Sequence, residues 1–162
     1  MAAMKSGATL FLRGVLVLFG IGALFLLLLE PHYEGRNAHA TLFEIYFKDP
    51  FLAYAYIGSI PFFVGLYHGF KVLGYAGRNS EFSASAVRSV RTIKRCAIAL
   101  ILFLAGGEVF ILFGSGDDDR AGGVMIGLFF LFASVVVATA MTVLERALQN
   151  AVDMKSENDL TV

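Results

Sequence analysis

Four long apolar stretches dominate this chain, at residues 9–29, 51–73, 97–113 and 122–144. A helix needs about 20 mainly apolar residues to cross a hydrocarbon core of about 30 Å, and each stretch meets or approaches that length. Of the 162 residues, 57% are hydrophobic and only 16% are charged. A soluble domain of this size has no interior large enough to hide so much apolar surface. The sequence therefore predicts an all-α integral membrane protein, a single domain over residues 1–162 built as a four-helix bundle.

The Lys and Arg residues are unevenly divided between the two sides of these spans. Two loops, residues 30–50 and 114–121, carry only Arg36, Lys48 and Arg120. All the others lie before the first span, near its start, around the loop between the second and third spans, or after the fourth: Lys5, Arg13, Lys71, Arg78, Arg88, Arg91, Lys94, Arg95, Arg146 and Lys155. Short loops rich in positive charge stay in the cytoplasm. We therefore predict that both termini are cytoplasmic, an N-in/C-in arrangement.

The first apolar stretch also has features of a secretory signal peptide. Lys5 and Arg13 precede its apolar run, and Ala38-His39-Ala40 has the small-x-small form of a cleavage site. The run at residues 14–29 is longer than most signal-peptide cores, and the polar residues 30–40 separate it from that site. We therefore expect the stretch to remain as the first span.

Glu108 is the one acidic residue within the four predicted spans. An ionisable group at membrane depth costs about 2.5–3.5 kcal/mol on insertion scales unless it is paired or hydrated. The functional interpretation is an ion or proton site that faces the bundle interior. In the alternative interpretation, the carboxylate reaches water at the nearby outer interface, helped by Gly106 and Gly107.

His68, next to Tyr67, lies near the predicted cytoplasmic end of the second span. Its imidazole titrates near neutral pH, so it is a candidate sensor or proton relay. The simpler interpretation is an interfacial side chain with one satisfied hydrogen bond.

Metal and catalytic patterns are weak in this sequence. The first outer loop holds residue types that bind divalent metals, at a spacing that matches no ligand motif: His32, Glu34, His39 and Glu44. Residues 117–119 are three consecutive aspartates, but the other ligand positions of a calcium loop are not filled. No set of nucleophile, base and orienting group can be assembled. We therefore predict no metal, no cofactor and no catalysis.

Two small-residue motifs occur within the spans, Gly65-x-x-x-Gly69 and Gly123-x-x-x-Gly127. Glycines spaced in this way let helix backbones approach closely. The contact can be made within one chain or between two copies, so a homo-oligomer is one possible outcome.

A basic amphipathic helix is predicted over residues 85–96, continuing into the third span. At 100° per residue its apolar side carries Val87, Val90 and Ile93. Its basic side carries Arg88, Arg91 and Arg95. Lysine and arginine near the cytoplasmic leaflet are attracted to anionic lipids. We expect this side to contact the lipid bilayer or an acidic protein partner.

Glu81-Phe82-Ser83 leads into this basic helix, and the chain ends in Glu157-Asn158-Asp159-Leu160-Thr161-Val162. In these residues and in its layout, the chain resembles a family of small bacterial four-helix membrane proteins classified as a domain of unknown function. The resemblance implies a place in the bacterial cytoplasmic membrane. It also implies a link to a helix-turn-helix regulator of the Cro/repressor type, because such proteins are frequently encoded beside one. It implies no activity.

Two functional hypotheses follow. The first is a membrane-anchored regulatory protein that holds a cytoplasmic partner through the basic helix and the tail, where Leu160 and Val162 form an apolar ending. That ending is predicted either to bind a partner as an added strand or to fold back on the protein. The second is a small transporter or channel subunit that uses Glu108. The net charge of zero argues against direct binding of nucleic acid.

Overall fold

The fold is entirely helical over the residues that the computed structural model describes, which are 2–33, 41–48, 50–77, 83–113 and 120–160. Four long helices and two short ones follow each other: α1 (Ala2–Leu28), α2 (Glu30–Tyr33), α3 (Leu42–Phe47), α4 (Pro50–Gly77), α5 (Ala84–Phe113) and α6 (Arg120–Leu160). Each long helix contains one predicted span and is long and apolar enough to cross a membrane. The prediction of an all-α, four-span membrane protein is therefore confirmed.

Two helices start at side chains that hydrogen-bond the first turn. The hydroxyl of Ser83 accepts a hydrogen bond of 3.3 Å from the Ala86 N–H at the start of α5. In α3, Thr41 and Glu44 form a capping box, in which each side chain accepts from the other residue's backbone N–H. Both arrangements satisfy N–H groups that have no partner within the helix.

The long helices pack in the order of the chain, each antiparallel to the next. α1 packs on α4, α4 on α5, and α5 on α6. Among the described residues, α1 has no extensive contact with α5 or α6. The outer faces of α1 and α6 are consequently open, with Leu10 71% exposed and Phe129 69% exposed. Such apolar faces are the expected surface of a protein whose solvent is lipid.

The small-residue motifs serve contacts within this one chain. An added Cβ on Gly65 would lie 3.6 Å from the Cβ of Cys96 in α5, and one on Gly69 would lie 3.2 Å from a methyl group of Leu16 in α1. Thus the two glycines of α4 face two different helices. Gly123 in α6 lies against Ile111 of α5 in the same way.

The long helices differ in how far they exceed the membrane. α6 has 41 residues, which corresponds to about 62 Å at 1.5 Å per residue, twice the hydrocarbon thickness. Its predicted span ends at residue 144, so its last turns, residues 145–160, extend beyond the bilayer core. The first two of these turns run alongside the start of α5, and we call residues 84–96 and 145–160 together the stem.

Candidate functional site

The predicted site residues fall at two ends of the α5–α6 pair. Glu108 lies near the end of α5 that is predicted to face outward. Arg88, Arg91 and Arg95 lie in the stem, at the other end. Leu160 is the last helical residue of α6, and Val162 lies outside the described residues.

Glu108 is buried between α5 and α6, with a relative exposure of 9%. It occupies a notch at Gly127 of α6. A Cβ added there would clash with Oε1 of Glu108 and lie 2.8 Å from its Cδ. Oε2 has no hydrogen-bond partner among the residues described. The side chain therefore faces the contact between the two helices. Burial removes water from its Oε2, and no hydrogen bond from the described residues replaces that water.

The two glycines before Glu108 have a packing role. The ring of Tyr54 from α4 lies against them, with its Cε1 3.7 Å from the place a Cβ on Gly107 would take. The Tyr54 hydroxyl donates a 2.7 Å hydrogen bond to the carbonyl of Phe103, one turn earlier in α5. Gly106 and Gly107 thus form a groove for an aromatic ring, and this contact fixes α4 against α5 beside the buried acid.

His68 is too far from Glu108 to act with it. It is part-buried in α4, its ring meets Tyr67 edge-on, and its Nδ1 has no partner in the described part of the chain. Since Gly65 lies against Cys96, the antiparallel pairing puts His68 level with Ile93 of α5. Glu108 is fifteen positions further along, about 22 Å away at 1.5 Å per residue. A direct relay between the two groups is therefore not supported.

At the other end, Arg91 and Lys94 of α5 share the carboxylate of Glu145 in α6. The Arg91 Nε donates to Oε1 over 2.6 Å, and the Lys94 Nζ makes a very close contact with Oε2. The Glu145 side chain is only 13% exposed. Glu145 was not among the site residues predicted from the sequence, although it is the first charged residue after the fourth span and lies opposite a row of cations.

The stem contains the most deeply buried side chains of the described protein. Val90 is 0% exposed and Ala86 is 1% exposed, and Val87 and Ser89 are also buried. The apolar side of the predicted basic helix therefore packs on neighbouring helices. Arg88 and Arg95 remain exposed on its other side. The expected contact of the basic side with the lipid bilayer or an acidic partner remains a prediction.

The helix α6 runs well beyond the predicted span, includes the polar residues 155–159 and ends at Leu160. The two interpretations of the apolar ending, strand addition and fold-back, remain predictions, because residues 161–162 lie outside the described residues.

The first outer loop holds a small ordered unit rather than a metal cluster. The Lys48 Nζ donates over 2.9 Å to Glu44. This bond, with those from Thr41, lowers the pKa of Glu44 to about 2. His32 is exposed, while Glu34 and His39 lie outside the described residues. Within the described ranges, no three side chains of the metal-binding types come together.

Comparison with known proteins gives a family match and a similar protein. Residues 36–162 match the family described as "Protein of unknown function (DUF2975)". The chain is similar to the "Uncharacterized membrane protein YoaS" of Bacillus subtilis (strain 168), with 39% identity over 160 residues, covering 98% of this chain and 100% of that protein. No solved structure matches the chain.

Proposed function

We propose that this chain, which belongs to the DUF2975 family of proteins of unknown function, is a membrane-anchored interaction protein. Its four spans fix it in the membrane, and its stem presents a preformed helical surface to a soluble cytoplasmic partner. The cytoplasmic position of the stem rests on the distribution of Lys and Arg.

The packing of the stem is the observation that carries this proposal. A loop that only connects two spans needs no buried core, yet Val90 and Ala86 are more completely buried than any described side chain within the spans. Residues 145–160 of α6 add about 24 Å beyond the hydrocarbon edge at 1.5 Å per residue, which carries the helix through the headgroup layer into water. An ordered projection of this kind offers a partner a fixed surface at little entropic cost.

The exposed side of the stem has a definite chemistry. Arg91 is held at the α5–α6 seam by Glu145, so Arg88 and Arg95, which are exposed, are the two arginines of the predicted basic side that we assign to the partner. The last turns of α6 run on past the start of α5, with Met154 61% exposed. The partner we propose is a protein with an acidic surface that contacts Arg88 and Arg95 and the end of α6.

A helix-turn-helix regulator is the partner class that the family resemblance implies. Such a regulator has a basic DNA-binding face, so the stem would bind an acidic surface elsewhere on it and hold the regulator at the membrane, away from DNA. Sequestration of the regulator at the membrane is the mechanism we propose.

Crosslinking in native membranes tests this proposal. The full chain would be crosslinked, purified under denaturing conditions and its captured partners identified by mass spectrometry. The same would be done for Arg88→Glu/Arg95→Glu and for a chain truncated before Leu160. Lys48→Glu, at the opposite end of the molecule, is the charge-reversal control.

We expect a DNA-binding partner captured by the full chain and by Lys48→Glu, and lost in the double variant. Loss on truncation would extend the surface to the chain terminus. Equal capture by the double variant and the full chain would refute the role of the stem. Recovery of this protein alone would refute the proposal as a whole.

A second candidate function, a subunit of a transporter or channel, is favoured by the unpartnered Oε2 of Glu108. A buried acid in a membrane binds a proton or a cation or else pays a large desolvation cost. Glu108→Gln removes the charge at constant shape, and Glu44→Gln is its control outside the spans. Loss of proton or cation flux in proteoliposomes in the first variant alone would support transport. Absence of any flux in the unmodified protein would refute it.

A further inference from the structure

A polar groove lies along the α5–α6 seam where the stem meets the predicted span. It has a volume of about 250 Å³ and is lined by Arg91, Lys94, Glu145, Arg146, Gln149 and Asn150, among others. We propose that this groove binds the phosphate of an anionic phospholipid of the cytoplasmic leaflet. This inference is independent of the proposed docking function, since it uses a different set of residues.

The charge of the groove favours an anion. Arg91, Lys94 and Arg146 contribute three positive charges against the one negative charge of Glu145. Glu145 also holds two of these cations in place, because its carboxylate accepts hydrogen bonds from the Arg91 Nε and the Lys94 Nζ. The terminal guanidinium nitrogens of Arg91 and the remaining Nζ hydrogens of Lys94 are not used in those bonds. A phosphate is well matched to such a set of fixed donors.

Amide side chains complete the donor set. Gln149 and Asn150 lie on the next turn of α6 and line the same groove. The Gln149 Nε2 donates over 2.9 Å to Asp153, which orients that amide along the helix. Neutral donors beside the cations suit the ester and glycerol oxygens of a phospholipid headgroup.

The position of the groove, at the predicted level of the lipid headgroups, favours a lipid as its occupant. Glu145 and Arg146 directly follow the fourth apolar stretch, so they lie at the level of the headgroups. On the membrane side, the same faces of both helices become apolar and exposed. Ile98 and Leu102 in α5 are 46% and 69% exposed, and Val135 in α6 is 40% exposed. Thr139 lies between these two levels, and its hydroxyl donates a 2.9 Å hydrogen bond to the carbonyl of Val135.

A single lipid molecule therefore fits both parts of the seam. Its phosphate would lie among the cations, and an acyl chain would lie along Ile98 and Leu102. The acyl path distinguishes a phospholipid from a free phosphate ion, which would gain nothing from those residues. The net positive charge distinguishes an anionic lipid, such as phosphatidylglycerol, from a zwitterionic one.

Native mass spectrometry of the full chain in detergent tests this site. The protein would be titrated with phosphatidylglycerol, with phosphatidylcholine of the same acyl chains, and with inorganic phosphate as a competitor. The test variant is Arg91→Gln/Arg146→Gln. The matched control is Arg88→Gln/Arg95→Gln, which removes the same total charge from the exposed side of the stem. Circular dichroism would verify that each variant keeps its helix content.

We expect phosphatidylglycerol to bind in preference to phosphatidylcholine. The test variant should weaken the binding of phosphatidylglycerol about 30-fold, which corresponds to a loss of about 1 kcal/mol of binding free energy for each of the two basic residues. The control should change it less than threefold. Equal losses of lipid affinity in both variants would show that the diffuse positive charge of the stem surface attracts the lipid, and would refute a binding site in the groove. Equal binding of the two lipids, or full displacement by millimolar inorganic phosphate, would overturn the assignment to an anionic lipid.

Discussion

Val90→Ala is the perturbation that most directly probes the packing of the stem. The Val90 side chain is 0% exposed, so the substitution removes two methyl groups from a filled site. Removing a buried methyl group costs about 0.5–1.5 kcal/mol, which gives about 2 kcal/mol for the pair. Because the site is at the start of α5, the loss should appear as easier local opening of the stem, while the spans remain intact.

Hydrogen exchange followed by mass spectrometry measures that opening. A loss of about 2 kcal/mol corresponds to about a 30-fold faster exchange of the amides of residues 86–95. Val143→Ala is the matched control, since it makes the same chemical change at a side chain that is 66% exposed. Its exchange should stay within about threefold of the unmodified protein. Fast exchange of residues 86–95 already in the unmodified protein, or equal effects of the two variants, would refute the packed stem.

Two further substitutions have definite expected outcomes. Gly127→Ala should displace the Glu108 carboxylate from its notch and lower the unfolding free energy by about 1–3 kcal/mol, measured in micelles by denaturant titration, whereas Gly14→Ala, with nothing within 4 Å of the added Cβ, should leave it unchanged or raise it by up to about 1 kcal/mol. Equal effects of the two would contradict the notch. Glu44, with its pKa lowered to about 2, should stabilise α3 at pH values above the ordinary carboxyl pKa and lose that effect as the pH falls towards 2. NMR titration of the Glu44 carboxyl should give a midpoint near 2 that rises in Lys48→Met, and a midpoint near 4.5 in the unmodified protein would refute the capping box.

The membrane class and the number of spans could be predicted because they depend on composition and length alone. Lipid is the solvent on the outer faces of α1 and α6, so an apolar run of sufficient length specifies a span whatever it packs against. The continuation of the basic helix into the third span also followed from periodicity, and α5 confirms it as one helix, Ala84–Phe113.

The sequence was less informative about which side chains meet. Whether Glu108 faces lipid, water or a helix depends on the rotation of α5 against α6, and a single residue carries no periodicity from which to read it. Gly127 decides the matter, since its missing side chain makes the notch. The sequence contains this pairing only implicitly, through the antiparallel register of two helices joined by a short loop.

The same register would have located Glu145. If Glu108 of α5 lies opposite Gly127 of α6, then Arg91 lies opposite Glu145, as observed. Without that register, the three arginines of the basic helix looked equivalent. All three side chains are exposed, and the structure separates them because Arg91 is paired across the seam with Glu145. The short helix α3 was missed, although Thr41 and Glu44 have the spacing of a capping box.

Determining on which side of the membrane the stem lies is the most direct test of the proposed cytoplasmic docking role. In a Cys96→Ser background, Asp153→Cys would place a thiol on the exposed end of α6, and Lys48→Cys would place one at the opposite end, where the lysine side chain is 66% exposed. Both would be treated with a membrane-impermeant maleimide before and after permeabilisation of the cells. We expect Lys48→Cys to react in intact cells and Asp153→Cys to react only after permeabilisation. Labelling of Asp153→Cys in intact cells would put the stem outside and contradict a cytoplasmic docking role.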